Sequence, residues 1–184
     1  QIKFVIQKQI NKKKIINDPV LGFINLQSEI IYDLIEHPIF QRLRRIKQLG
    51  LSYLVFPGAN HSRFEHALGA CHLMRQAIAA LRMKGHEIND EEADAVTIAI
   101  LLHDIGHAPF SHVLENTLVE ISHEEISLLL MNQLNKEFKG QLTMAIQIFT
   151  NQFCYTQYRI IYTSAYCLDF ILIIIIKDRR AHYT

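Results

Sequence analysis

A chain of 184 residues is long enough for one domain with a substantial core and short for two. Nineteen basic against eighteen acidic residues leave it nearly neutral, so no global field points to nucleic acid or to an acidic membrane. A hydrophobic fraction of 49% is ordinary for a packed globular domain. The longest apolar stretch, Phe170 to Ile176, falls far below the roughly 20 residues that a bilayer crossing needs. Cys71, Cys154 and Cys167 form neither a CxxC pair nor an even framework, which places the expectation in a reducing compartment, the cytoplasm. They read as small core hydrophobes. The start at Gln1 without Met gives the expectation of a fragment or a processed chain.

Along the chain, Lys3-Phe4-Val5-Ile6 reads as a short strand in a basic N-terminal stretch. Ile15 to Val20 reads as extended, because Pro19 disfavours helix just before it. Ser28 is a candidate N-cap for a helix carrying Ile30, Ile31, Leu34 and Ile35 at helical spacing. Pro38 opens the next predicted helix, which runs to about Gln48 with Phe40, Leu43 and Ile46 as its apolar stripe and stops at Gly50. Pro57-Gly58 punctuate a loop, and a long helix is predicted from Arg63 to Lys84 with Phe64, Leu68, Cys71, Leu73 and Ala77 as its apolar positions.

Asn89-Asp90-Glu91-Glu92 is an acidic helix start, and that helix is predicted to continue to Ile105. Pro109 breaks the chain, Ser111 to Glu120 reads as a turn or short helix, and His123 to Leu134 is again amphipathic. Gly140 separates it from a last helix over 141–149. The expected fold class is all-α, in one domain over residues 1–184, with at most a small N-terminal strand or hairpin.

The chemistry concentrates in the run from Ile98 to His112. It starts as an apolar helix and then presents His103 beside Asp104, His107 one turn later and His112 after Pro109. A carboxylate at the end of a buried apolar run is costly unless something compensates it. A metal cation does so directly, taking nitrogen from one residue and oxygen from the next. His107 shares the helix face of His103 and could take a second ion or a phosphate.

A third ligand must come from elsewhere. His66, in Arg63-Phe64-Glu65-His66, is the best upstream candidate, because Ala67, Gly69 and Ala70 let its helix pack closely against another. Arg63, one turn before it, offers a guanidinium suited to phosphate on the same rim. Of ten histidines, eight fall between His61 and His123. His61, His72 and His86 lack comparable context; His72 reads as a packing or surface residue and His86 as part of a polar turn.

Four segments carry a family resemblance: Ile16 to Gly22, Phe40 to Gly50, Val55 to His66 and the run ending at His112. In that order, over roughly residues 15 to 135, the chain resembles the HD-domain phosphohydrolases, and most of all their dNTP triphosphohydrolase branch. The resemblance implies an HD-domain helical bundle that is the N-terminal part of a longer architecture, and a homo-oligomer. It implies a divalent metal held by His66, His103, Asp104 and a distal Asp. It further implies that His107, His112 and His123 face the substrate phosphates, with Glu115 and His123 supporting His112. Arg63 would contact phosphate, and Gln48 and Leu49 would lie near the sugar.

Residues 150–184 form a tail atypical of that branch. The family's distal ligand lies in a segment reading like LDxDRxDYLxRDS, whereas this chain has Ser164 to Leu172 followed by four isoleucines. Aligning Leu168-Asp169 with the first LD puts Ile171 at the ligand position. Sliding by two puts Asp169 there, with Tyr166-Cys167 in place of the LD. Asp169 is therefore the candidate fourth ligand, ahead of Asp178.

A His/His/Asp/Asp set is a mixed nitrogen and oxygen site with open positions, suited to Mn, Fe, Ni, Zn or Mg. The implied reaction splits a dNTP into deoxynucleoside and triphosphate. Two other readings stand beside it: a phosphohydrolase acting on nucleoside monophosphates or cyclic nucleotides, and a non-catalytic nucleotide-binding module with an incomplete metal site.

Overall fold

The computed structural model describes residues 14–26, 28–110 and 121–150, together with the backbone of two strands at 158–161 and 174–177. Strands β1 (Lys14–Asp18) and β2 (Gly22–Leu26) pair antiparallel with Ile16 opposite Ile24. Their turn is built by Asp18, whose Oδ1 accepts from the backbone N–H of Val20 and of Leu21, both at 2.8 Å. Such a side-chain turn favours Asp, and Gly22 follows at φ 73°, where a side chain would be strained. The extended reading of residues 15–20 thus ends at Asp18. Ile24 and Leu26 face inward and Phe23 faces out. The Lys3–Ile6 strand lies outside the described residues. A second antiparallel pair, β3 (Tyr158–Ile161) with β4 (Ile174–Lys177), joins elements that the sequence pattern did not single out.

Helix α1 (Glu29–Glu36) buries Ile31, Leu34 and Ile35. Ser28 stands at its N-cap, but the hydroxyl donates to Asp94 Oδ2 at 2.9 Å instead of capping. Helix α2 (Pro38–Gln41) passes into a tight 3-10 turn over Arg42–Arg45, so the helix predicted to reach Gln48 stops three residues early. The backbone explains why. Ile46 turns extended so that its carbonyl accepts from Arg63 N–H at 2.8 Å, and Gln48 N–H donates to His61 O at 3.0 Å.

Four more helices follow, three of them longer: α3 (Arg63–Met83), α4 (Asp90–Leu102), α5 (His123–Glu137) and the short α6 (Thr143–Phe149). The first three each begin with a reciprocal capping box, Ser62 with Glu65, Asn89 with Glu92 and Ser122 with Glu125. On α3 the buried stripe continues from Cys71 to Met74 and Ile78, and Leu73 and Ala77 are exposed. Those two expected positions are corrected by simple helical spacing, since three and then four residues restore the same face.

Helix α4 is buried continuously from Ala95 to Leu102, the pattern of a central helix rather than an amphipathic surface one. Around it pack Phe40, Phe64, Leu68, Met131, Leu134, Leu142 and Ala145. Cys71 lies in this core, where burial pushes its thiol up to about 12, in keeping with an inert small hydrophobe. Cys154 and Cys167 lie outside the described residues, as does the segment Ser111 to Glu120. Among the described residues no helix is long and apolar enough to cross a membrane.

Candidate metal centre

The expected continuation of α4 to Ile105 is replaced by a turn. The helix ends at Leu102, His103 caps it in helical conformation, and Ile105 N–H and His107 N–H close short turns onto Leu102 O and Asp104 O. This geometry sends the Asp104 side chain inward, where it becomes the hub of four cationic or ligating groups. Arg63 Nη1 donates to its Oδ2 at 2.5 Å, and His66 Nε2 lies 3.8 Å from the same oxygen. His103 Nε2 lies 3.3 Å and His107 Nε2 3.6 Å from Oδ1.

Burial alone would raise the Asp104 pKa. The surrounding His103, Arg63, His107 and His66 outweigh it and hold the group at about 2, so it is a carboxylate at neutral pH. Arg63 is 3% exposed, and its guanidinium supplies much of the compensation that the sequence assigned to a metal alone.

The donor chemistry fits a divalent cation. One ligand atom from each of His66, His103 and Asp104 lies within 4.8 Å of the other two. That spacing is close to what bonds of about 2.1 Å to a common ion require. The His103 Nδ1 sits 2.6 Å from Ile100 O. A carbonyl oxygen only accepts, so Nδ1 carries the proton and Nε2 is left to present its lone pair. Nε2 lies 3.3 Å from Asp104 Oδ1, so in the neutral imidazole a cation between them would be shared by both. Burial, then repulsion from His103, lowers the His66 pKa to about 4, which keeps its imidazole neutral and able to ligate. A second set, Asp104, His107 and His123, shares the same carboxylate. The His107 and His123 rings are stacked, centroids 3.8 Å apart at 16°.

Two residues outside the sequence-derived set shape this centre. Arg42, on the 3-10 turn, donates through Nη1 to His107 O at 2.8 Å and through Nη2 to Ile105 O. Ser127, on α5 and fully buried, accepts from Gly106 N–H at 2.9 Å and donates to His103 O at 2.9 Å. Gly106 is required there. A Cβ on it would fall 2.3 Å from His123 O and 2.4 Å from Ser127 N. The sequence signal for this close approach was the glycine inside HDxGH; no local pattern marks Arg42 or Ser127.

The remaining candidates fall as follows. Gln48 and Leu49, both half-buried, lie in the turn after Lys47, where Gln48 N–H donates to His61 O ahead of α3. His61 is exposed, His72 contacts Gln76 on the same helix, and His86 lies in the turn after α3. His112, Glu115, Asp169 and Asp178 lie outside the described residues.

Residues 63–153 match the HD domain family. The chain is 43% identical over 127 residues to the human deoxynucleoside triphosphate triphosphohydrolase SAMHD1, an overlap covering 68% of this chain and 20% of that protein. It is 41% identical over 119 residues to YwfO of Bacillus subtilis, 65% of this chain and 27% of the relative. The crystal structure of a phosphohydrolase from Bacteroides thetaiotaomicron is similar with a TM-score of 0.75 and 61% identity, over 77% of this chain and 35% of that one. The chain thus spans between a fifth and about a quarter of the length of these two curated relatives. With the HD pair, the upstream histidine and the family match all in the same residues, the chain belongs to the HD-domain superfamily of phosphohydrolases and is similar to its dNTP triphosphohydrolase branch.

Proposed function

We propose that the protein is a metal-dependent hydrolase of deoxynucleoside triphosphates, releasing deoxynucleoside and intact triphosphate. One observation carries the reading: the donor atoms of His66, His103 and Asp104 converge, and the His107–His123 pair opens from the same carboxylate. The substrate class comes from the similarity to triphosphohydrolases.

In this reading His66, His103 and Asp104 hold a divalent ion, Mn, Fe, Ni, Zn or Mg, with Asp169 as the fourth ligand. Such an ion, when bound, polarises a phosphoryl oxygen and lowers the pKa of a bound water. Arg63 orients Asp104 and is the residue that would contact substrate phosphate. His107 and His123 face the phosphates, and Gln48 and Leu49 border the sugar. His112, held by Glu115, protonates the leaving oxygen, a role an imidazole can fill as general acid. A homo-oligomer belongs to the same proposal, supported by the consecutive exposed side chains Leu54, Val55 and Phe56 with nearby Leu51.

Product analysis tests it. The purified chain with dATP and Mn is expected to release deoxyadenosine and tripolyphosphate in equal amounts. Orthophosphate from a nucleoside monophosphate, or opening of a cyclic nucleotide, in place of tripolyphosphate would select the broader phosphohydrolase reading. Nucleotide binding without turnover in metal-free protein that takes up no Mn would select the non-catalytic module. Sedimentation velocity giving only monomer at every concentration would remove the oligomer.

A further inference from the structure

Ser127 is buried completely, yet it lies on α5, an element that contributes His123 and nothing else to the candidate ligand set. Its hydroxyl has one proton to give and lone pairs to receive, and both capacities are used on one short stretch. It donates to His103 O and accepts from Gly106 N–H, each at 2.9 Å. Those two backbone groups bracket Asp104. The bare Cα of Gly106 lets α5 approach until His123 O and Ser127 N stand where a side chain would otherwise be. At that depth the His123 ring, one turn before Ser127, stacks on the His107 ring at 3.8 Å.

We propose that Ser127 is a positioning residue. By locking the first turn of α5 onto the backbone of residues 103 to 106, it fixes the face-to-face offset of the His107 and His123 imidazoles over Asp104. The hydroxyl supplies two hydrogen bonds between α5 and residues 103 to 106, and without them the depth of α5 is set by packing, which is less directional. The imidazole pair feels a change in that depth more than the metal donors do, because His66, His103 and Asp104 sit on α3 and the end of α4. The kinetic part of the inference rests on the phosphohydrolase reading; the geometric part does not.

The test compares Ser127→Ala with Thr97→Ala, which removes an equally buried hydroxyl from α4, bonded within its own helix to Ala93 O at 2.6 Å. Imidazole carbon-bound proton resonances are followed by NMR in the full chain. In Ser127→Ala the His107 and His123 signals are expected to lose their mutual ring-current displacement, while Thr97→Ala leaves both in place. In the hydrolysis assay kcat for Ser127→Ala is expected to fall roughly ten- to a hundredfold, as for a small misplacement of reacting groups. Ser127→Thr, which keeps the hydroxyl, recovers most of both signals and also serves if the alanine variant does not fold. Unchanged His107 and His123 resonances in Ser127→Ala overturn the proposal. So does a loss confined to the folded fraction, with kcat per folded molecule intact. If the wild type cleaves no phosphoester, the functional reading fails and the resonances still decide the role of Ser127.

Discussion

The two helix ends that build the centre are held together in opposite ways. The start of α3, which carries Arg63 and His66, is closed by Ser62 and Glu65, neighbours within four residues. The end of α4, which carries His103, Asp104 and His107, is held through backbone groups met by Arg42 and Ser127, distant in sequence by 21 to 65 residues. The first end closes its cap within its own helix and takes one further bond, from Arg63 N–H to Ile46 O. The second takes its shape only when the 3-10 turn and α5 have packed against it. Local hydrogen bonds therefore define where one half of the donor set begins, and tertiary packing defines where the other half points.

The Arg63–Asp104 pair is the direct link between the two ends, and breaking it is expected to give the largest effect. Both side chains are buried, so Arg63→Ala leaves an uncompensated charge inside the protein. The expected loss is about 3–5 kcal/mol in the metal-free protein, read as a lower urea midpoint at constant slope. Adding Asp104→Asn should return part of that loss, because the stranded carboxylate is then gone. A loss for Arg63→Ala below about 1 kcal/mol would mean that the three imidazoles suffice without the guanidinium.

A smaller, graded effect is expected from acid. His66 has its pKa lowered by burial from 6.5 to about 4. Between those values the unfolded chain binds a proton that the folded chain refuses, so stability of the metal-free protein falls as pH drops from 6.5 to 4. Below that, Asp104 takes over. Its native pKa of about 2 lies under the ordinary 3.8, and stability is lost further across that interval. Urea midpoints after chelation, taken in half-unit steps, should therefore decline in two adjoining stages. A divalent ion added back should raise the midpoint at pH 7 and lose that effect below about pH 4, as His66 takes up its proton. A flat profile from pH 6.5 to 4 would remove His66 from the buried donor set.

What the sequence made legible follows the same division. The HDxGH spacing and the upstream His66 are local patterns, and both point to side chains that the structure brings together. The stop of the second helix at Arg45 was not legible, because it depends on the Ile46 carbonyl meeting Arg63 N–H seventeen positions later. Arg42 read as one of several cations on a helix face, and Ser127 as an ordinary polar residue in an amphipathic helix. Their roles exist only relative to a turn elsewhere in the chain. Arg63 stood between the two cases: its placement beside the ligands was legible, and its bond to Asp104 was not.

The smallest effect is expected at the locally closed end. Ser62→Ala removes the side chain that accepts from Glu65 N–H, a cap whose loss costs about 1 kcal/mol. His66 N–H still donates to Ser62 O through the backbone, so the position of the His66 ring should survive. The urea midpoint is expected to drop slightly, with the imidazole resonances of His66 and His103 unmoved. If those resonances shift as far in Ser62→Ala as those of His107 and His123 do in Ser127→Ala, the contrast between a locally built and a tertiary-built end disappears. The cap at Ser62 would then be holding geometry as well as helix, and both halves of the donor set would depend on the same kind of joint.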